Sequence, residues 1–547
     1  MMTPGSRSVD DVRRAGDQAF RGVCGEISVI RLCLAVFFGV LTIASLSGIQ
    51  AVEEPLRIEG GRLSGTRGRD ASIRVFKGIP FAAPPVGSRR WMPPQPVVPW
   101  DGVRNAAAFS AMCMQPPRPA EGSNLHDGTP ETISEDCLYL NVWTPAAGAP
   151  AASEKRPVMV WIYGGLFRVG SAATGLFDGE PLARKGVVFV SLNYRVGAFG
   201  YLAHPDLARE SGHQASGNYA LLDQIAALKW VQANIAAFGG DPDRVTVVGQ
   251  SAGSMSISAL MASPVAKGLF QRAIGESGAQ FGPNDLRSRS EAEQAGNAFA
   301  VAMGARSVAD LRATTAEQIL NGEWQAHGTV VDGWVLPEAI YTTFANGKQN
   351  DVPLLTGWTA NDTGRAPSLN ASEFIRQTQA TRGADADAFL KIYPASSDQE
   401  GRQSQVAVVT DRMFGWNAWT WARMQSRTGK SASYLYYFTL VPPHSDAANQ
   451  GAFHGADIYY ALGNLAYKPW AWRPQDTDLA NTMMSYWINF ATMGDPNGTG
   501  LPDWPAYSET ADTVMLLGDP VSAAPNPRKL GLAFVEVANA AQRARPR

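Results

Sequence analysis

Ser251 lies in Gly249-Gln250-Ser251-Ala252-Gly253, a serine between two glycines at the spacing of a nucleophile on a sharp turn. A hydroxyl attacks a carbonyl only if a base takes its proton, and histidine does this near neutral pH. The chain has six histidines: His126, His204, His213, His327, His444 and His454. When the nucleophile sits on a strand–turn–helix elbow, acid and then histidine follow it in the chain, which leaves the last three. His454 is the candidate base, because small residues on both sides of it (451–457) let an imidazole reach a cleft. His444, in a Pro-rich loop, is its rival. The acid that holds the imidazole's tautomer should follow a strand between the two, and Asp362 does so, with Asp332 as rival. An acyl-transfer site also needs N–H donors for the oxyanion. Gly165 and Leu166, in the glycine turn after residues 157–163, and Ala252, after the nucleophile, are the candidates. Together these residues would run ester hydrolysis through an acyl-enzyme intermediate, a reaction that requires no metal or organic cofactor.

Such groups must be held by a rigid scaffold, and the flanking sequence predicts one. Residues 157–163 and 187–194 are short, continuous and rich in β-branched side chains, the pattern of strands buried on both faces. Leu221, Leu222, Ile225, Leu228, Val231 and Ile235 recur at helical spacing, and Gly239-Gly240-Asp241-Pro242 stops that helix. Residues 245–248 read as another buried strand, leading into the glycine–serine turn, and residues 254–261 can open a helix behind it. Strand and helix in alternation predict an α/β fold on a mostly parallel sheet. The elbow then forces Ser251 into a strained conformation with its hydroxyl above the sheet edge.

With 547 residues, 45% of them hydrophobic, the chain can bury a large core. Its formal charge of −2 and the absence of any long Lys/Arg block disfavour nucleic acid as a partner. Neither repeats nor metal-ligand cysteine or histidine spacings are present. Five arginines between positions 7 and 31 precede an apolar run (32–46) and then small and polar residues, the order of a secretory signal peptide. Residues 1–51 are therefore expected to be a long leader, and 52–547 one catalytic domain exported from the cytoplasm. An uncleaved anchor over residues 32–50 is the alternative, and the only route to a membrane. Of four cysteines, Cys24 and Cys33 would leave with the leader. Cys113 and Cys137 remain, either as a disulfide closing a loop of about 25 residues, worth roughly 3 kcal/mol, or as two buried thiols.

Beyond the catalytic motif, Phe76-Lys77-Gly78-Ile79-Pro80-Phe81-Ala82, Glu135-Asp136-Cys137-Leu138, Gly217-Asn218-Tyr219-Ala220 and Gly494-Asp495-Pro496-Asn497 together resemble the type-B carboxylesterase/lipase family, which includes the cholinesterases. The resemblance runs from Leu56 to about Leu517. It implies an α/β-hydrolase fold, a central sheet wrapped by helices, with the active site in a gorge formed by inserted loops. It supports pairing Cys113 with Cys137, and implies that Ser277 supports the acid. The same fold also carries catalytically silent adhesion proteins, but those lose the nucleophile that is present here.

Four departures from the family pattern bear on the substrate, a small-molecule ester. Gln250 stands where relatives have Glu, removing a charge beside Ser251. Leu166 replaces Gly or Ala in the oxyanion turn, crowding the cleft but keeping the donor. Asp362 is one methylene shorter than the usual Glu, so its loop must lie closer to His454. The loop between Cys113 and Cys137 has no Trp, which disfavours a cationic substrate held by cation–π contact. A neutral or acid-bearing ester is expected, and Phe167, Phe281, Trp334, Trp358 and Tyr459 are candidates to line a pocket for a bulky one.

Overall fold

The apolar runs become the centre of a sheet. In the computed structural model, which describes residues 55–117, 132–146, 155–325, 328–363 and 369–545, eleven strands form one sheet. In chain order they are β1 (Thr66–Arg67), β2 (Ile73–Pro80), β3 (Tyr139–Pro145), β4 (Arg156–Ile162), β5 (Val188–Leu192), β6 (Gly240–Gln250), β7 (Arg272–Glu276), β8 (Leu354–Thr359), β9 (Ser433–Phe438), β10 (Thr513–Leu517) and β11 (Ser522–Pro525). Their spatial order is β11-β10-β9-β8-β7-β6-β4-β5-β3-β2-β1. Pairing is parallel from β5 across to β10 and antiparallel at both margins. The central strands are buried on both faces: every residue of β5 and β8 is buried, as are residues 158–162 of β4. This is why they read as unbroken hydrophobic stretches rather than alternating ones.

The predicted helix forms over α1 (Tyr219–Asn234) and tightens into a 3₁₀ turn before Gly239, whose φ of 79° ends it. The glycine–serine motif spans the end of β6 and the start of α2 (Ala252–Ala262), with Ser251 between them, as the alternation of elements predicts. Among the helices between β8 and β9 are α3 (Asp398–Thr410) and α4 (Trp416–Thr428), and beyond β9 come α5 (Ala456–Ala461), α6 (Pro474–Met493) and α7 (Lys529–Arg543). Among the candidate pocket aromatics, Phe281, Trp358 and Tyr459 are fully buried and Phe167 nearly so. They are core rather than wall. Only Trp334 is partly open, stacked on the exposed His213 ring at 3.8 Å.

Cys113 and Cys137 are joined as a disulfide, with Cα atoms 5.0 Å apart. The expected leader and the anchor alternative lie outside the described residues. Residues Glu53–Arg547 form one compact unit. Among the described residues no helix is long and apolar enough to cross a membrane, and no group of His, Cys, Asp or Glu could hold a metal ion.

Candidate active site

The parallel centre of the sheet ends at one edge in three turns that carry the candidate residues. Ser251, at the tip of β6, has φ 56° and ψ −124°, a conformation that non-glycine residues avoid, and its hydroxyl does not cap the helix it opens. Its amide donates to the Glu276 carbonyl of β7 at 2.9 Å, which anchors the strained turn. The flanking glycines are steric necessities: a Cβ at Gly253 would stand 2.0 Å from the Ile162 carbonyl oxygen, and one at Gly249 2.6 Å from it. Strand, elbow and helix pack too tightly there for any side chain.

The candidate oxyanion turn follows β4. Gly165 has φ 120°, and its carbonyl accepts from the Arg168 and Val169 amides at 3.0 and 3.1 Å, so the turn closes on itself. It lies directly against Ser251, since a Cβ at Gly164 would meet Ser251 Cβ at 2.8 Å. Leu166, at φ 58°, is 70% exposed. Its side chain therefore stands in open space.

Asp362 and His454 meet. The carboxylate accepts from His454 Nδ1 at 2.5 Å through Oδ1 and from the Thr359 amide at 3.1 Å through Oδ2. Asp362 is wholly buried while the imidazole is 22% exposed, so the acid is sealed and the ring reaches the cleft. The shorter acid is accommodated by backbone contact between the two loops. Asn361 pairs with Phe453 in a parallel bridge, its amide donates to the Ala452 carbonyl at 3.0 Å, and its side-chain oxygen accepts from the Ala452 amide. Gly451 permits this approach: a Cβ there would lie 2.2 Å from Asn361 Oδ1.

Two rivals are placed elsewhere. Asp332 accepts from the Trp334 and Leu336 amides and serves its own turn; His444 caps the Asp446 amide and packs on Phe453 and Trp470. His327 lies outside the described residues. Ser277, which the resemblance implies supports the acid, makes no hydrogen bond to it: the Asp362 oxygens accept from His454 and Thr359, and the Ser277 hydroxyl is buried without a hydrogen-bond partner.

Gln250 does more than remove a charge. Its side-chain nitrogen lies 3.1 Å from His454 Nε2, the ring atom left with a free lone pair when Nδ1 donates to Asp362. A second feature escaped the sequence reading altogether: the carboxyls of Glu276 and Asp457 are both fully buried beside the elbow and the histidine loop. Trp487 donates to Glu276 at 2.9 Å and Tyr436 to Asp457 at 2.7 Å, leaving one oxygen of each acid unpartnered. Burial, with Asp362 nearby, pushes Asp457 up to about 7; burial and Asp457 push Glu276 up as well. Asp457 could have been noticed from its place three residues after His454. Glu276 carries no such signal.

These raised groups make a stability prediction. An acid whose folded pKa lies above its unfolded value stabilises the fold below the unfolded value, near 4, and that contribution is lost as pH rises through about 7. Asp457→Asn keeps an acceptor for Tyr436 without the titration. Relative to the parent, its Tm should rise by about 2 °C more at pH 8 than at pH 5. Thermal unfolding of both proteins at the two pH values measures this, and an equal offset at both would refute it.

A strained serine elbow, an adjoining glycine turn and a buried aspartate–histidine pair at one sheet edge define the chain as an α/β-hydrolase-fold protein. Residues 53–535 match the carboxylesterase family, to which the chain belongs. It is 35% identical to the fumonisin B1 esterase of Sphingopyxis macrogoltabida over 91% of this chain and 93% of that one. It is 36% identical to the para-nitrobenzyl esterase of Bacillus subtilis (strain 168), over 83% and 93%. A solved structure of PNB esterase superposes with a TM-score of 0.74 at 33% identity, covering 88% of this chain and 99% of that one. The chain is thus a carboxylesterase.

Proposed function

We propose that this carboxylesterase works through an acyl-enzyme on Ser251, with His454 as general base and acid, Asp362 as its orienting carboxylate, and the amides of Gly165, Leu166 and Ala252 as the oxyanion hole. The observation that carries the reading is the 2.5 Å contact of His454 Nδ1 with the sealed Asp362, at the edge where the strained Ser251 elbow ends. Bonded in this way, the imidazole keeps its Nε2 lone pair for the Ser251 proton, and the buried carboxylate stabilises the imidazolium that forms. The Gln250 amide must yield that lone pair as substrate enters. Carbonyl attack then places negative charge against the glycine turn; the alcohol leaves with the proton from His454, and water repeats the cycle to release the acid. A burst of one p-nitrophenol per enzyme on mixing with p-nitrophenyl acetate tests the intermediate. A linear time course with no label on Ser251 from an organophosphonate would count against it.

For the substrate, a neutral or acid-bearing ester fits best. Gln250 brings no charge to the imidazole, and Arg168, two residues beyond Leu166, is exposed. Similarity to an esterase named for fumonisin B1 is in keeping with a bulky natural-product ester. The Cys113–Cys137 disulfide supports export, with residues 52–547 as a single catalytic domain.

Gln250→Glu tests the charge argument. A carboxylate 3 to 4 Å from Nε2 favours the protonated ring and repels a second anion, so the acid limb of kcat/KM against pH should move up by about one unit. At pH 8, selectivity for p-nitrophenyl hydrogen glutarate over p-nitrophenyl butyrate should fall roughly tenfold. An unmoved limb together with unchanged selectivity would leave Gln250 as a shape substitute only.

A further inference from the structure

The imidazole has a second neighbour that neither the motif nor the chemistry above assigns. Between α3 and α4 the chain winds one π-helical turn, Asp411–Gly415. Such turns insert an extra residue into a helix, rotate the face that follows, and persist only where surrounding contacts hold them. This one delivers the Phe414 ring to His454, with centroids 4.6 Å apart and planes inclined by 32°. Phe414 is buried, 6% exposed, so the ring covers one face of the imidazole while its edge carries the Asp362 and Gln250 contacts.

The turn is tied down from two sides. Asp411, wholly buried, accepts from Arg528 Nε at 3.1 Å, from Arg528 Nη2 at 2.6 Å and from the Tyr393 hydroxyl at 2.7 Å. Gly531 of α7 lets this ion pair pass, since a Cβ there would stand 2.2 Å from Asp411 Oδ2. On the other side Gly415 lies against β8, the strand that leads to Asp362: its Cβ would be 3.1 Å from Trp358 Nε1 and 3.1 Å from Leu532 Cδ2. One π turn thus touches the strand of the acid, the ring of the histidine and the last helix.

We propose that Phe414 is a positioning residue for His454, held by the Asp411–Arg528 anchor, which limits the tilt of the imidazole as it moves a proton between Ser251 and the leaving alcohol. The role follows from the geometry. Asp362 holds Nδ1, but once the Gln250 amide has yielded Nε2 that one hydrogen bond leaves the tethered ring room to tilt, and Nε2 must meet two different oxygens in turn. A flat aromatic face at van der Waals distance restricts that rotation without competing for either nitrogen. It also gives the imidazolium a π face in place of water. A misplaced reacting group costs rate rather than affinity, so the signature belongs in kcat.

The inference rests on His454 being the base, and the test separates the two. In Phe414→Leu, which keeps an apolar side chain without the flat face, kcat on p-nitrophenyl acetate and butyrate should fall about tenfold. KM should stay within about twofold, with active sites counted by organophosphonate titration so that misfolded protein is excluded. Phe414→Tyr, which keeps the ring, should recover most of kcat. Arg528→Gln, on the far side of the turn, should lower kcat in the same sense with KM unmoved, and it keeps the question open to measurement if Phe414→Leu does not fold. Unchanged kcat in Phe414→Leu, or a loss confined to KM, would overturn the proposal, the latter making Phe414 a wall of the substrate site. If Ser251→Ala retained turnover, the reading beneath it would fail instead.

Discussion

Ser251→Ala is expected to lower kcat for p-nitrophenyl butyrate by about 10⁶-fold while leaving far-UV dichroism and Tm close to those of the parent. The size follows from what remains once the nucleophile is gone: the oxyanion turn and the binding cleft alone give only a small rate advantage over water. The fold should survive because the hydroxyl does not cap α2 and the turn is held by backbone, through the bond from the Ser251 amide to the Glu276 carbonyl. Alanine still has to adopt φ 56°, so the variant keeps the strain of the elbow and should be no more stable than the parent by more than about 1 kcal/mol. Ester turnover is followed at equal protein concentration alongside organophosphonate labelling of the parent. Turnover within a hundredfold of the parent, or label on another serine, would place the nucleophile elsewhere.

Asp362→Asn is expected to lower kcat by about 10⁴-fold, and Asp332→Asn by less than threefold. An amide at position 362 can no longer only accept; it can present its NH₂ to Nδ1, which stabilises the tautomer with the proton on Nε2 and deprives Ser251 of its base. Burial makes the loss large, because no water can enter to satisfy the ring in place of the carboxylate. Asp332 is buried as well, but its oxygen serves the Trp334 and Leu336 amides, and an asparagine oxygen still accepts from both. The paired comparison separates a catalytic carboxylate from one that shapes a turn. Equal losses in both variants, or a larger one at position 332, would remove Asp362 from its role.

Legibility in the sequence was uneven, for physical reasons. The centre of the sheet was readable because strands buried on both faces have no polar positions to break their pattern, as in residues 157–163 against the observed Arg156–Ile162. The elbow was readable because its glycines stand at a fixed local spacing, two residues either side of the serine, although the clash that requires them is with the Ile162 carbonyl, a distant part of the chain. Asp362 was placed by its position after β8, and the contact that supports it spans 92 residues. Whether the Ser277 hydroxyl reaches the acid is not legible from its motif, since it depends on how the two turns pack; here the hydroxyl is buried without a hydrogen-bond partner.

What the sequence determined by itself was the order and type of the central elements and the candidate groups for acyl transfer, since local steric rules and buried patterning act over a few residues. Tertiary structure alone decided which groups surround those residues: the Gln250 amide at Nε2, the paired buried acids Glu276 and Asp457, and the Phe414 ring brought in by a π turn. Each depends on segments tens to hundreds of residues apart packing to within an atom's width. No local pattern encodes that distance, because the same residues at the same spacing would read alike whichever elements closed over them.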